Sequence, residues 1–366
     1  MRPVLWRRFD WPLLTLVLLL SGFGILMIAS ALSGNQVLAT WPWRQAGFLA
    51  VGLILLFLVA VIDYRLLASL VYPLYLFMLL ALVVIAIAGT VSGGARRWLA
   101  LGDFLLQPSE LIKLAVILVM SYYLSTREER MDSLITPIMA LLLLAPAIGL
   151  IYLQPNLGTA LSLVAIGGMI LVVSGLRWQH ALLLAGLGIA AAIPAWKYLL
   201  ADYMKTRLLM FLDPATVTAA DRYNIDQAMI SIGSGGWLGR GLFHGSQSQL
   251  HFLRVRHTDF IFSTTAEELG FFGAVVLIIL FGLLLLRMVR IASMARDSFG
   301  RLIVTGVATM ILFQFIVNIG MNLSLMPVTG IPLPFISYGG SSLWTMLIGI
   351  GLTESVAMRY RKIEFE

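Results

Sequence analysis

The sequence predicts an all-α integral membrane protein of about ten transmembrane helices with one long extracytoplasmic loop, and three observations carry that prediction. Hydrophobic residues make up 60% of the 366-residue chain and charged residues only 12%, a balance outside the range of soluble domains. Apolar runs recur along it, each near the roughly 20 residues a bilayer requires. Lysine and arginine crowd every second connection between those runs. A barrel would alternate apolar and polar residues, and these runs do not.

The first run, Leu13 to Leu32, follows Arg2, Arg7 and Arg8. Ala29-Ser30-Ala31 resembles a cleavage site, but the run is too long for a signal h-region and more spans follow, so it reads as an uncleaved first helix. Further spans are expected at Gln45–Ile62, Leu70–Gly89, Ser109–Leu124, Leu134–Leu153, Leu157–Ser174, Ala181–Leu199, Phe260–Leu286, Leu302–Leu325 and Ser341–Met358. With the N-terminus inside, the cytoplasmic connections hold Arg65, Arg127, Arg130, Arg177, Arg287, Arg290, Arg296, Arg301, Arg359, Arg361 and Lys362. The short outer loops hold Arg44, Arg96 and Arg97. That bias places both termini in the cytoplasm. Residues 1–366 then form a single polytopic domain whose one large excursion is an outer loop at about 200–259, between spans 7 and 8. A structureless loop of that length is uncommon, so short helices are expected in it.

Composition excludes several chemistries. The chain has no cysteine, so disulfides, thiolate metal sites and cysteine nucleophiles are out. Its four histidines lack the His-Glu-x-x-His spacing of a zinc site. The net charge of +7 reflects cytoplasmic anchoring rather than nucleic-acid binding. Within the outer loop, Ile232–Gly241 is glycine-rich but has no lysine-serine pair and no preceding strand, so it reads as a tightly turning loop and not a phosphate cradle.

Four stretches concentrate polar residues at the outer membrane edge. Arg254 to Gly270 meets an apolar run at Phe260, which leaves Asp259 at the boundary. Taken alone, Asp259 or Thr258 is either a helix N-cap or part of an active site, because ionisable residues at membrane depth are functional by default. Gln107–Lys113 opens the fourth span, with Pro108 in its first turn and Glu110 and Lys113 three apart on one face. They are read as an ion pair lining a cavity opposite Asp259. Arg96, Arg97 and Trp98 set two cations beside an aromatic, a phosphate-binding combination at a lipid surface. Met326–Ser342 breaks the helical pattern with three prolines and three glycines, and irregular backbone at that depth needs protein or a watery cavity over it.

Together these stretches resemble the shape, elongation, division and sporulation (SEDS) family. The resemblance rests on Gly94–Trp98 with Gln107–Lys113, Ile232–Gly241, His257–Phe262 with Ala266–Gly270, and Pro327–Ser342, in the right order over most of the chain. Ser246–Leu250 and Val328–Pro332 look more like the family's elongation branch than its division branch. The resemblance implies a peptidoglycan glycosyltransferase in the bacterial cytoplasmic membrane, polymerising lipid II beside a class B penicillin-binding protein, with no nucleic-acid partner. Asp259 matches the family's essential acid, and Glu110 and Lys113 its charged pair in a central cavity. His257, Thr258, Ser337 and Ser341 fall in the matching stretches and are expected around the same substrate. One position departs: the family's Gln-Pro-Asp-Leu-Gly-Thr reads Gln154-Pro155-Asn156-Leu157-Gly158-Thr159 here, which keeps the shape and loses a charge.

The expected chemistry is an inverting transfer in which Asp259 takes a proton from the acceptor hydroxyl as undecaprenyl diphosphate leaves. Lys113, Arg96, Arg97 or a divalent cation (Mg²⁺ or Mn²⁺) would neutralise the diphosphate. Two other classes compete on the same features: a lipid II flippase without chemistry of its own, and a non-catalytic scaffold for cell-wall enzymes.

Overall fold

The computed structural model describes residues 6–33, 38–92, 95–101, 104–213, 216–250, 252–253 and 255–360. Thirteen α-helices run through them: α1 (Trp11–Ala31), α2 (Trp41–Val61), α3 (Val71–Ala88), α4 (Pro108–Ser125), α5 (Ile135–Leu153), α6 (Leu157–Val173), α7 (Trp178–Pro194), α8 (Asp202–Leu212), α9 (Ala219–Gly235), α10 (Ser246–Gln249), α11 (Ile261–Met294), α12 (Ser298–Asn322) and α13 (Gly340–Ala357). Among the described residues, eight helices are long and apolar enough to cross a membrane: α1 to α5, α7 with its extension to Tyr198, α11 and α12. α6 is apolar but, at 17 residues, one residue shorter than the shortest of these, and α13 carries Ser, Thr and Glu along its length. The protein is a multi-pass membrane protein whose candidate spans are all helices.

α4 is the central post. It packs against α3, α5, α6, α12 and α13, and most of its side chains are buried, including the charged Glu110 and Lys113. Around it, α2, α3 and α7 present large apolar side chains outward, among them Ile54, Phe77, Ile87 and Ile189. Such a surface suits lipid tails and would be a liability in water.

The connections gather in two sets joined by polar bonds. In one set, Asp10 ahead of α1 pairs with Arg287 at 2.9 Å, Asp63 and Arg65 after α2 pair with Arg359 (3.4 Å) and Asp297 (2.9 Å), and the α4–α5 turn pairs Glu128 with Arg301 (3.0 Å) and Asp132 with Arg177 (2.6 Å). In the other set, Arg97 ahead of α4 donates to Gln154 O and Pro155 O of the α5–α6 turn. The Gln107 amide there donates to Ser341 Oγ at 3.0 Å, and Gln45 of α2 bonds Ser337 O and Gly339 N.

Three elements differ from the sequence expectation. The outer connection holding Arg97 is a small antiparallel sheet, β1 (Thr90–Ser92), β2 (Ala95–Leu101) and β3 (Phe104–Leu106), with Thr90 opposite Trp98 and Leu101 opposite Phe104. α7 begins at Trp178 and ends in a π-helical turn, Ala195–Leu199, after Pro194. The eighth expected span, Phe260–Leu286, is instead a kinked helix running to Met294. Its first turns, Ile261–Glu268, are buried and rich in Ser, Thr and Glu, and Gly270 (φ 65°, ψ −164°) separates them from the apolar part.

That kink receives the glycine-rich segment. The Arg240, Gly241 and Phe271 amides donate to Glu267 O, Glu268 O and Gly236 O at 2.9 to 3.0 Å. A Cβ on Gly270 would stand 2.3 Å from Gly239 N, so only glycine allows the two backbones to meet. Ile232–Gly241 is therefore a docking surface for α11, as a turning loop would be. The long outer loop does fold into short helices, α8 to α10.

Candidate active site

Asp259 lies one residue before the N-cap of α11. The N-cap position is Phe260 and makes no side-chain cap bond, and no backbone amide among the described residues bonds the Asp259 carboxyl, so Asp259 does not cap α11. Thr258 does not cap either; its hydroxyl donates to Val255 O at 3.2 Å. The backbone of Asp259 is instead held from α12, where Asn318 and Asn322, one turn apart, each donate an amide to Asp259 O at 3.0 Å. Asn318 also donates to Ile331 O at 2.8 Å, tying in the irregular segment before α13.

The carboxyl of Asp259 faces a cavity of about 260 Å³. The same cavity is lined by Arg97 and Trp98 from β2, Glu110 and Lys113 from α4, Asn156 from the α5–α6 turn, and Ser341 from the start of α13. The fold thus brings together the four polar stretches that the sequence singled out, and adds Asn156 from a fifth. Lys113 Nζ donates to Glu110 Oε2 at 2.8 Å, with both side chains buried. Asp259 keeps some access through the cavity, yet protein crowds it closely enough that burial raises its carboxyl from the ordinary 3.8 to about 6, with the Arg207 charge pulling the other way. A carboxylate poised there can take a proton near neutral pH.

Ser337 and His257 support the cavity from outside its lining, and Arg97 and Ser341, which line it, also tie its walls together. Ser337 Oγ donates to Thr258 O at 2.7 Å and accepts from Leu333 N at 2.8 Å, fixing the loop on either side of Asp259. His257 stacks edge-on against Trp41 at 5.0 Å, and its carbonyl accepts from Tyr338 N at 2.9 Å. Burial, with Arg256 nearby, lowers its imidazole to about 4 and leaves it neutral. Ser341 knits α13 to β3, donating to Leu105 O at 3.2 Å. Arg97 directs its fork onto two backbone carbonyls while its side chain borders the cavity, and burial pushes its guanidinium pKa below the usual value. Arg96 sits in β2 with its backbone opposite Val91; its side chain lies outside the described residues, as do Arg2, Arg254, Arg361 and Lys362.

Asn156 caps α6 by accepting from Thr159 N at 3.3 Å. An amide oxygen serves a cap as well as a carboxylate does, which accounts for a neutral residue at this position. The residues missed in the sequence are the polar side chains of apolar helices: Asn318, Asn322, Gln45 and Gln314, the last lining the cavity at 1% exposure. The signal that finds them is polarity at membrane depth. Glu267 and Glu268 belong with them. Glu267 accepts from Ser231 Oγ and Gln247 N, and Glu268 from Ser30 Oγ and Phe243 N.

Comparison with known proteins agrees with this architecture. Residues 11–362 match the family model FtsW/RodA/SpoVE, described as cell cycle protein. Peptidoglycan glycosyltransferase MrdB of Escherichia coli (strain K12) is 40% identical over 354 residues, covering 95% of this chain and 93% of that protein. The probable peptidoglycan glycosyltransferase FtsW of Geobacter metallireducens is 35% identical, covering 97% and 96%. The crystal structure of the rod shape determining protein RodA of Thermus thermophilus superposes with a TM-score of 0.71 at 34% identity over 97% of this chain and 98% of that one. A chain solved in work on structural coordination of polymerization and crosslinking by a peptidoglycan synthase complex superposes with a TM-score of 0.82 at 36% identity, over 95% and 97%. With sequence likeness and fold likeness both extending over nearly its whole length, the chain belongs to the SEDS family of FtsW, RodA and SpoVE proteins and is a peptidoglycan glycosyltransferase.

Proposed function

We propose that this glycosyltransferase polymerises lipid II into glycan strands at the outer face of the bacterial cytoplasmic membrane during cell elongation. One observation carries the reading: Asp259 is an unpaired carboxylate that caps nothing, held by two asparagines at the edge of a polar cavity with the buried Glu110–Lys113 pair. The acceptor sugar's 4-hydroxyl attacks the donor's anomeric carbon from the side opposite the diphosphate. The new C–O bond forms as the bond to the diphosphate breaks, which inverts that carbon. Asp259 receives the hydroxyl proton, an effect worth roughly 10²–10⁴-fold. Undecaprenyl diphosphate leaves with its charge met by Lys113 and Arg97. Among the described residues no three His, Cys, Asp or Glu side chains come together to hold a metal. An Mg²⁺ or Mn²⁺ ion would have Asp259 as its one unpaired cavity carboxylate and take its other ligands from the diphosphate and water, where it would add positive charge to the leaving group.

The reading includes ten membrane crossings with both termini in the cytoplasm, and a class B penicillin-binding protein alongside that cross-links the product. The likeness to a chain from a polymerising and cross-linking synthase complex supports that partner. The test is Asp259→Asn in purified protein supplied with lipid II. The variant is expected to fold and to make no polymer. Polymer at near wild-type rate would remove Asp259 as the base and favour lipid transport without chemistry.

A further inference from the structure

Arg207 on α8 was not among the residues the sequence singled out, and it is placed for a role in the reaction. One of its terminal nitrogens, Nη1, stands 3.8 Å from the point where a Cβ on Gly330 would sit, and Asp259 Oδ2 stands 3.7 Å from the same point. The guanidinium and the carboxylate therefore both lie beside Gly330, close enough for the Arg207 charge to act on the Asp259 carboxyl, and they form no ion pair. Gly330 has φ 69°, a conformation glycine adopts freely, and its missing side chain keeps the space between them open. The neighbouring cations are spent: Lys205 pairs with Asp202 and Arg222 with Asp226. Arg207 has no carboxylate partner among the described residues and only flanks the Tyr203 ring at 5.9 Å. Arg207 lines a second, smaller cavity of about 110 Å³ with Arg222, Asp226, Ser324 and Met326 among its walls. Gly330 lines the larger cavity, so Arg207, in the wall of the smaller cavity, lies beside a wall residue of the larger one.

A half-buried guanidinium without a carboxylate is an anion-binding group, since its five donors match the oxygens of phosphate and carboxylate. We propose that Arg207 is a substrate-binding residue that takes an anionic oxygen group of the lipid-linked saccharide beside Gly330 and so holds the reacting sugar against Asp259. The group is a phosphate of the lipid diphosphate or a carboxylate of the attached peptide. The proposal rests on the cavity of Asp259 being the place of transfer.

The experiment compares the full-length wild type, Arg207→Gln, Arg207→Lys and Gly330→Ala, purified in detergent. Two soluble probes, inorganic pyrophosphate and N-acetylmuramoyl pentapeptide, are titrated while thermal stability is followed, and KM and kcat for lipid II are measured separately. Loss of a charge-assisted bond should weaken binding of one probe about tenfold or more in Arg207→Gln, with Arg207→Lys in between. The KM for lipid II should rise by a similar factor with a smaller change in kcat. The probe that responds identifies the phosphate or the carboxylate. Gly330→Ala puts a methyl group in the gap and should weaken the same probe with Arg207 intact. Equal binding of both probes and an unchanged KM in Arg207→Gln would overturn the proposal. If Arg207→Gln does not fold, unchanged probe binding in both Arg207→Lys and Gly330→Ala would do so. An active Asp259→Asn would overturn the reading of the base while leaving the probe result at Arg207 standing, so the two failures are distinguishable.

Discussion

Asp259 carries a charge that its surroundings resist. In the unfolded chain its carboxyl ionises near 3.8, and in the folded chain only near 6. Ionised Asp259 therefore destabilises the fold above about pH 6, and that cost fades as pH falls through 6 toward 4. Catalysis has the opposite requirement, because a base must be unprotonated. The turnover rate should rise with pH to a plateau, with an acid limb centred near 6, and a pH–rate profile at saturating lipid II checks it. Asp259→Asn should melt no lower than the wild type at pH 7, since it removes the unfavourable charge and leaves the backbone bonds from Asn318 and Asn322 in place. The Glu110–Lys113 pair behaves differently. Lys113→Ala strands a buried carboxylate, which costs about 3–5 kcal/mol, and thermal unfolding should show it. Glu110→Gln with Lys113→Met should recover the lost stability and leave polymerisation abolished, because the cavity has lost its cation; recovered polymerisation would reduce the pair to a packing device. These residues were legible in the sequence because charge is rare at membrane depth. Arg207 was not, because one arginine in a polar loop looks like any other until the fold sets it beside Gly330.

Among the elements, the long apolar helices were legible because hydrocarbon admits few alternatives, and α4, α12 and α13 begin within a few residues of expectation. The β1–β3 sheet was not. It lies outside the apolar runs, its strands are three to seven residues long, and strand pairing is decided by neighbours more than by composition. α11 was misjudged for a different reason: the apolar run hid a change of environment within one helix. Ile261–Glu268 is buried by the outer loop and not by lipid, with Glu267 and Glu268 accepting bonds from that loop. The join is Gly270, whose backbone angles are open to glycine almost alone. Gly270→Ala must either straighten the helix or push Gly239 away, since the new Cβ would lie 2.3 Å from Gly239 N. A loss of about 3 kcal/mol or more is expected, measured as a lowered melting temperature. Protease sensitivity in α9 and the segment after it should appear before the apolar helices open. Equal stability would mean that the docking of these two backbones contributes little.

At the scale of the whole molecule, the two sets of connections carry the topology. The set holding Asp10, Arg65, Glu128, Arg177, Arg301 and Arg359 is cross-linked by ion pairs into one layer. It comprises the segment before α1, the α2–α3, α4–α5, α6–α7 and α11–α12 connections, and the segment after α13. The set holding Gln45, Arg97, Gln154 and Ser337 comprises the ends of the alternate connections. In the proposed ten-crossing arrangement each long helix runs from one layer to the other. The arginine-rich layer is the one the positive-inside rule assigns to the cytoplasm, and the Asp259 cavity opens among the residues of the other. This is directly testable because the chain has no cysteine, so a single introduced thiol is labelled without background. Cysteines placed at Glu129 and at Ala295 should react with a membrane-impermeant maleimide only after the membrane is opened, whereas one at Ala220, exposed on α9, should react in intact cells. Labelling of Ala295→Cys from outside would break the alternation between α11 and α12 and reduce the count of crossings. It would also put Asp259 and the α11–α12 turn on the same side of the membrane, leaving the apolar stretch from Phe271 to Met294 with no bilayer to span. Protection of Ala220→Cys in intact cells would move the cavity to the cytoplasmic side, where the lipid-linked disaccharide would have to be polymerised before it crosses the membrane.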